Sequence, residues 1–178
     1  METYGEDITK ILADNQTVHH IFADDFQILT SSSPQELNKI LRQTEKIISE
    51  IQLWYSSKSL QLNADKTEVL LFGTNSRLSR IQISDYTLNI GDSSIKFSPV
   101  VRDLGVFLDS SLSLKSHIQH VSQNYFFHLR RLRSIRPKID VESSKHLVSS
   151  LIFSRIDYCN ALFASLPNST LQPLQRVN

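Results

Sequence analysis

The chain has 178 residues and a mass of 20.4 kDa, room for one ordinary domain or two small ones. With 40% hydrophobic and 21% charged residues it is neither a fully disordered nor a collagen-like sequence. A single cysteine, Cys159, excludes an internal disulfide framework and a Cys-rich zinc site, and the four widely spaced glycines exclude a GxGxxG or P-loop. The net charge of +1 hides a separation of sign: residues 1–50 hold nine acids and four bases, whereas 101–140 hold seven bases and three acids. Such a separation points to an acidic site beside a basic binding surface, or to a solvated basic helix face.

The first ten residues, METYGEDITK, have neither a basic start nor an apolar stretch, so no signal peptide is expected. Residues 1–18 have weak helical character, interrupted by Asp7, Asp14 and Asn15. Val18 to Phe22 and Phe26 to Thr30 read as two strands, and Ala23-Asp24-Asp25 between them reads as the tip of a β-hairpin, because Asp is depleted from strand interiors and common in turns. Ser33, Pro34 and Glu36 predict a capped helix start. The helix then carries one apolar stripe of Leu37, Ile40, Leu41, Ile47, Ile48, Ile51 and Trp54, ending near Ser56 to Ser59. Glu68 to Phe72 reads as a strand stopped by Gly73. It holds one of the longest apolar runs, Val69 to Phe72, far short of a membrane span. Tyr86 to Ile90 and Ser94 to Phe97 read as short strands around Gly91-Asp92, and Leu104 to Leu108 as another. From Leu114 the period is helical through Ile118, Val121, Tyr125, Leu129, Leu132 and Ile135, until Pro137. A further helix is expected from Val141 to Leu166, and a short one after Asn168-Ser169-Thr170. The fold class is therefore α+β, with an α+β half and a helical half joined near residues 109–114.

Two carboxylates at a hairpin tip repel each other and favour a hard divalent cation such as Mg²⁺. Neighbouring strand residues point to opposite faces, so Asp24 and Asp25 are not expected to serve one metal through one face. A two-metal site needs at least one more carboxylate from another strand.

Phe22-Ala23-Asp24-Asp25 resembles the F/Y-A-D-D box of reverse transcriptases. Leu60-Gln61-Leu62-Asn63-Ala64-Asp65-Lys66-Thr67-Glu68-Val69-Leu70-Leu71-Phe72-Gly73 is similar to the palm motif that follows that box in non-LTR (LINE-type, jockey-like) retrotransposon polymerases. Val101-Arg102-Asp103-Leu104-Gly105-Val106-Phe107-Leu108-Asp109, with Leu112 and His117-Ile118, is similar to their primer-grip region. Ser154 to Leu162, Leu166-Pro167 and Leu174 to Asn178 resemble the helical region after it. The four blocks stand in the family's order over about residues 17–178.

The resemblance implies the C-terminal half of a reverse-transcriptase palm over 1–110 and a helical thumb or connection over 111–178. It implies RNA-directed DNA polymerase chemistry, with an RNA template, a DNA primer strand and deoxynucleoside triphosphates as partners and Mg²⁺ as cofactor of the complete enzyme. By resemblance Asp24 and Asp25 are the metal-holding catalytic pair. Phe22 packs near the primer end, and Lys66 donates a proton to pyrophosphate or contacts a phosphate, unless it is a solvated turn lysine. Leu104 and Gly105 lie in the segment that positions the primer. Lys115, Arg130, Arg131 and Arg133 become phosphate contacts that position without reading sequence. The family works in the nucleus or in a cytoplasmic ribonucleoprotein. Its palm also uses an earlier aspartate motif, a glycine-rich nucleotide motif and basic fingers. Only 23 residues precede Asp24, and none resembles those blocks. The chain is thus expected to be a polymerase fragment with little or no activity alone, and a non-catalytic binder of nucleic-acid backbones is the alternative.

Other residues carry blander expectations. His117 and His120 read as structural or surface groups and Cys159 as a packed thiol. Trp54 reads as core. Tyr125, Phe126 and Phe127 read as core at helical spacing, with base stacking as the alternative.

Overall fold

The computed structural model describes residues 3–15, 17–23, 25–158, 160–164 and 166–175. It is mixed α+β and divides into two compact units, Met1–Ser98 and Pro99–Asn178. The division falls ahead of the boundary expected near residue 110.

In the first unit, α1 (Thr3–Asp14) precedes the antiparallel hairpin of β1 (Val18–Phe22) and β2 (Asp25–Leu29). The helix forms despite Asp7 and Asp14 because Ile8 and Leu12, one turn apart, are buried against Ile47 and Ile51. Those two belong to α2 (Leu37–Ser57), whose apolar stripe faces the core as its spacing predicts. Ile21, Phe26 and Ile28 of the hairpin and Trp54 pack on the same cluster. The start of α2 differs in detail from a capping box. Ser33 Oγ donates to the Glu36 carboxylate at 3.0 Å and not to or from the backbone, and residues Pro34–Glu36 form a 3₁₀ turn before the α-helix begins.

After a one-turn helix α3 (Asn75–Leu78), β3 (Thr87–Ile90) and β4 (Ser93–Lys96) close a second hairpin around Gly91, whose φ of +57° suits glycine. Leu88 and Ile90 join Ile48 in the other core cluster of this unit. The strand expected over Glu68 to Phe72 is reduced to a single parallel bridge between Val69 and Phe97. Its apolar run reads as a strand, but a strand persists only where a partner continues beside it.

The second unit opens with the hairpin β5 (Val100–Asp103) and β6 (Val106–Asp109). Leu104 and Gly105, expected inside a strand, are instead its two turn residues. Both have positive φ, +43° and +86°, the backbone that a tight type I′ hairpin turn demands. Helix α4 (Lys115–Ile135) follows and buries Ile118, Val121 and Tyr125. Pro137 lies in the 3₁₀ turn that ends it. The helix expected from Val141 to Leu166 is broken into α5 (Val141–Val148), a π turn at Ser149–Phe153, α6 (Ser154–Asp157) and α7 (Asn160–Phe163). Helix α8 (Asn168–Gln175) closes the unit. Ile118 and Phe163 are buried together with Val106, Leu171 and Leu174 against them, which is why β5–β6 belongs with these helices.

Asp109 organises the loop into α4. Its carboxylate accepts from the Ser111 N–H (3.1 Å), Ser111 Oγ (2.8 Å), Ser113 N–H (3.0 Å) and Ser113 Oγ (3.0 Å). Partial burial pushes this carboxyl up, but the Ser113 and Ser111 hydrogen bonds outweigh it and hold the group below the usual carboxylate range. The bonds restrain a loop in which Leu112 and Leu114 both take positive φ, +51° and +56°, a conformation costing on the order of 1 kcal/mol for each. Asp109→Ala is expected to cost about 2 kcal/mol, through lost charge-assisted hydrogen bonds, in urea unfolding followed by circular dichroism.

Candidate functional site

Strand β1 pairs with β2 in the register Val18↔Leu29 through Phe22↔Asp25. Only residues 23 and 24 link the paired ends. Asp25, expected at the tip, is therefore the first residue of β2, paired across from Phe22. Asp24 lies outside the described residues. Phe22 is 64% exposed and Asp25 is exposed beside it. Ala23 has φ +55°, a region that an L side chain enters at a cost of about 1 kcal/mol. Strain of this kind often marks a functional turn. Ala23→Gly is expected to stabilise the chain by about 0.5–1 kcal/mol, read as an upward shift of the urea midpoint.

Lys66 ends a 3₁₀ turn at Ala64–Lys66. Asn63 caps it, its Oδ1 accepting the Asp65 N–H at 3.0 Å, while Leu62 and Ala64 pack onto the α2 and β3 core. The lysine side chain is exposed. Among the described residues, no group of three or more His, Cys, Asp or Glu side chains comes together to hold a metal ion. Asp25 is one exposed carboxylate among the described residues, and Asp24, the other acid of the box, lies outside them.

In the second unit, the Leu104 carbonyl accepts from Tyr158 Oη at 2.7 Å, which ties the β5–β6 turn to the residue that follows α6. Gly105 faces the same ring, whose Cε1 lies 3.5 Å from where a Cβ would stand. Helix α4 presents Arg130, Arg131 and Arg133 to solvent. Arg130 Nε donates to the Phe126 carbonyl at 3.1 Å, and the Arg131 guanidinium sits 5.5 Å from the Phe127 ring centre. Lys115 is exposed at the other end of the helix, roughly 22 Å from Arg130 at 1.5 Å per residue. The three arginines thus lie in the last turns of α4, Arg130 and Arg133 one turn apart on one side and Arg131 on another, all far from the lysine.

The three aromatics expected in the core divide. Tyr125 is fully buried, whereas Phe126 and Phe127 are 39% and 47% exposed and flank the arginines. The apolar stripe itself carries this signal, since Ile118, Val121, Tyr125, Leu129 and Leu132 fill one face and leave 126 and 127 off it. Asp109 was not singled out in the sequence, although Ser at the second and fourth positions after an Asp is the pattern of local side-chain capping. Cys159 lies outside the described residues.

His117 is structural, as expected. It is 4% exposed, packed near Phe107 and Phe163, and its Nδ1 accepts the Phe107 N–H at 3.4 Å. Burial, aided by the His120 charge, lowers its pKa from the ordinary 6.5. The unfolded chain then takes up this proton before the folded one does. The histidine's contribution is fully present above pH 6.5 and is lost as pH falls below it. Urea midpoints measured across that range should decline on acidification, and the decline should be shallower in His117→Phe.

Compared with known family models, curated proteins and solved structures, the chain matches none. Among the described residues no helix is long and apolar enough to cross a membrane.

Proposed function

We propose that the chain is the C-terminal part of a non-LTR retrotransposon reverse-transcriptase domain: the second half of a palm followed by a thumb. In the complete polymerase, Mg²⁺, an RNA template, a DNA primer and deoxynucleoside triphosphates would meet at the Asp24–Asp25 hairpin. The observation that carries this reading is the tight hairpin with Phe22 and Asp25 paired across it and two residues between them. It presents the F-A-D-D box at a turn, and α2 backs it with an apolar face. The capped turn that ends at Lys66 supports it, because that turn lies within the second similar block. The chain by itself is expected to be inactive, because a two-metal site needs a further carboxylate from another strand. The reading frame upstream of Met1 tests the assignment. An in-frame aspartate-bearing palm motif is expected there, and a message that begins at Met1 would overturn the polymerase reading. Asp24-dependent primer extension by the isolated chain would overturn the expected inactivity.

A second reading is favoured by a separate observation, the three arginines exposed on one helix. In it the chain is a non-catalytic binder of nucleic-acid backbones. The logarithm of the affinity for a recessed RNA–DNA primer–template should then fall linearly with the logarithm of salt concentration. A slope near zero counts against it.

A further inference from the structure

The C-terminal turns of α4 and helix α5 enclose a groove of about 510 Å³. Its floor is apolar. Leu129, Leu132 and Val148 line it from the cluster around Val121, Tyr125 and Ile152, and Ile139 and Phe153 extend it. Val141 and Phe153 remain 56% and 54% exposed. Large apolar side chains in a concave surface are ready to be covered.

The rim has the opposite character. Arg133, Arg136 and Lys145 stand around the opening. Among the described residues neither arginine has a carboxylate within ion-pair distance, and Lys145 reaches only Glu142, at 3.7 Å, with both side chains 71% exposed. An exposed pair of this kind is solvent-screened and exchanges readily for a better partner. Glu142 also lies 3.6 Å from His146 Nε2, so it is shared. Asp140, the other nearby acid, is occupied in accepting the Ser143 N–H and Oγ at 2.8 Å each.

We propose that this groove docks an acidic amphipathic helix of a partner polypeptide. Apolar side chains spaced i, i+3, i+4 and i+7 would enter between α4 and α5, and flanking carboxylates would meet Arg133, Arg136 and Lys145. Charge complementarity selects this occupant: a cationic rim over an apolar floor matches carboxylates beside apolar side chains. Nucleic acid fits the floor poorly. Apart from the rim cations, Ser144 is the polar side chain in the lining, and base edges buried there would lose hydrogen bonds to water without replacement. The proposal does not rest on the polymerase reading: it shares Arg133 with that reading, whereas Arg136, Lys145 and the floor lie outside the site residues that reading names.

The test uses the full chain and a fluorescein-labelled acidic peptide of Leu, Phe, Glu and Asp, about four helical turns long, with its apolar residues on one face. A permuted peptide of the same composition and a Lys-for-Glu version are the controls. Fluorescence anisotropy should show the acidic amphipathic peptide binding at least roughly tenfold tighter than either control. The double variant Arg136→Glu/Lys145→Glu and, separately, Val141→Asp should each weaken it by a similar factor. All three positions are exposed, and far-UV circular dichroism verifies the fold. Equal binding of the permuted peptide would reduce the interaction to bulk charge and overturn the proposal. So would indifference to Val141→Asp, or displacement of the peptide by single-stranded RNA whose own binding is lost in that variant. Self-association of the chain that is abolished by Val141→Asp would name a second copy as occupant and overturn it as well.

Discussion

Replacing Tyr125 by alanine should destabilise the chain by about 3–5 kcal/mol, while the same change at its neighbour Phe126 should cost about 1 kcal/mol or less. Tyr125 is completely buried, packed with Val121, Ile152, Leu129 and Leu132, and its truncation opens a cavity that helices crossing at this point can only partly close. Phe126 is 39% exposed, so much of its ring already meets water in the folded state. The measurement is paired urea titration of the two variants with unchanged buffer and pH. Comparable losses at both positions would mean that Phe126 is covered in solution and that the assigned faces of α4 are mistaken.

The second large effect concerns binding. If the arginines in the last turns of α4 meet nucleic-acid phosphates, Arg130→Gln/Arg131→Gln/Arg133→Gln removes three contacts. The slope of log affinity against log salt should shrink by about 2–3, and affinity near 0.1 M salt should fall on the order of several hundred-fold. The loss should be nearly the same for unrelated sequences, because phosphate contacts carry no base information. Lys115→Gln should change the slope by less than 1, since it stands alone far along the helix. Folding stability should hardly move, the three side chains being exposed. An unchanged slope would remove the backbone-binding reading.

What the sequence makes legible follows from which forces are local. The β1–β2 hairpin and the two long helices were readable because alternation, stripe and terminal residues all lie within a few residues of one another. Leu104-Gly105 was misread because nothing about a leucine announces positive φ; the turn is imposed by pairing Asp103 with Val106 and by the Tyr158 hydroxyl, 54 residues away. Val69 to Phe72 lost its strand for the converse reason: its apolar run found one bridging residue and no continuing partner. The helix expected from Val141 to Leu166 showed no Pro or Gly to interrupt it, yet a π turn at Ser149–Phe153 shifts its register and carries Ile152 into the core. For the candidate site, the motif named the hairpin and its acids. A metal centre depends on which other carboxylates converge in space, which no linear spacing reveals.

Among the described residues, each strand pairs with its sequence neighbour: β1 with β2, β3 with β4, β5 with β6. Each pair can therefore close as soon as both its strands exist, within microseconds and without a search through distant chain. On the ribosome the β1–β2 hairpin would be complete before α2 is made, and would wait for that helix to cover its apolar face. The β5–β6 hairpin would wait longer, until Phe163 arrives to join Ile118 beneath it. The order of synthesis is thus close to the order of assembly, and the last step is the docking of C-terminal helices onto strands already formed.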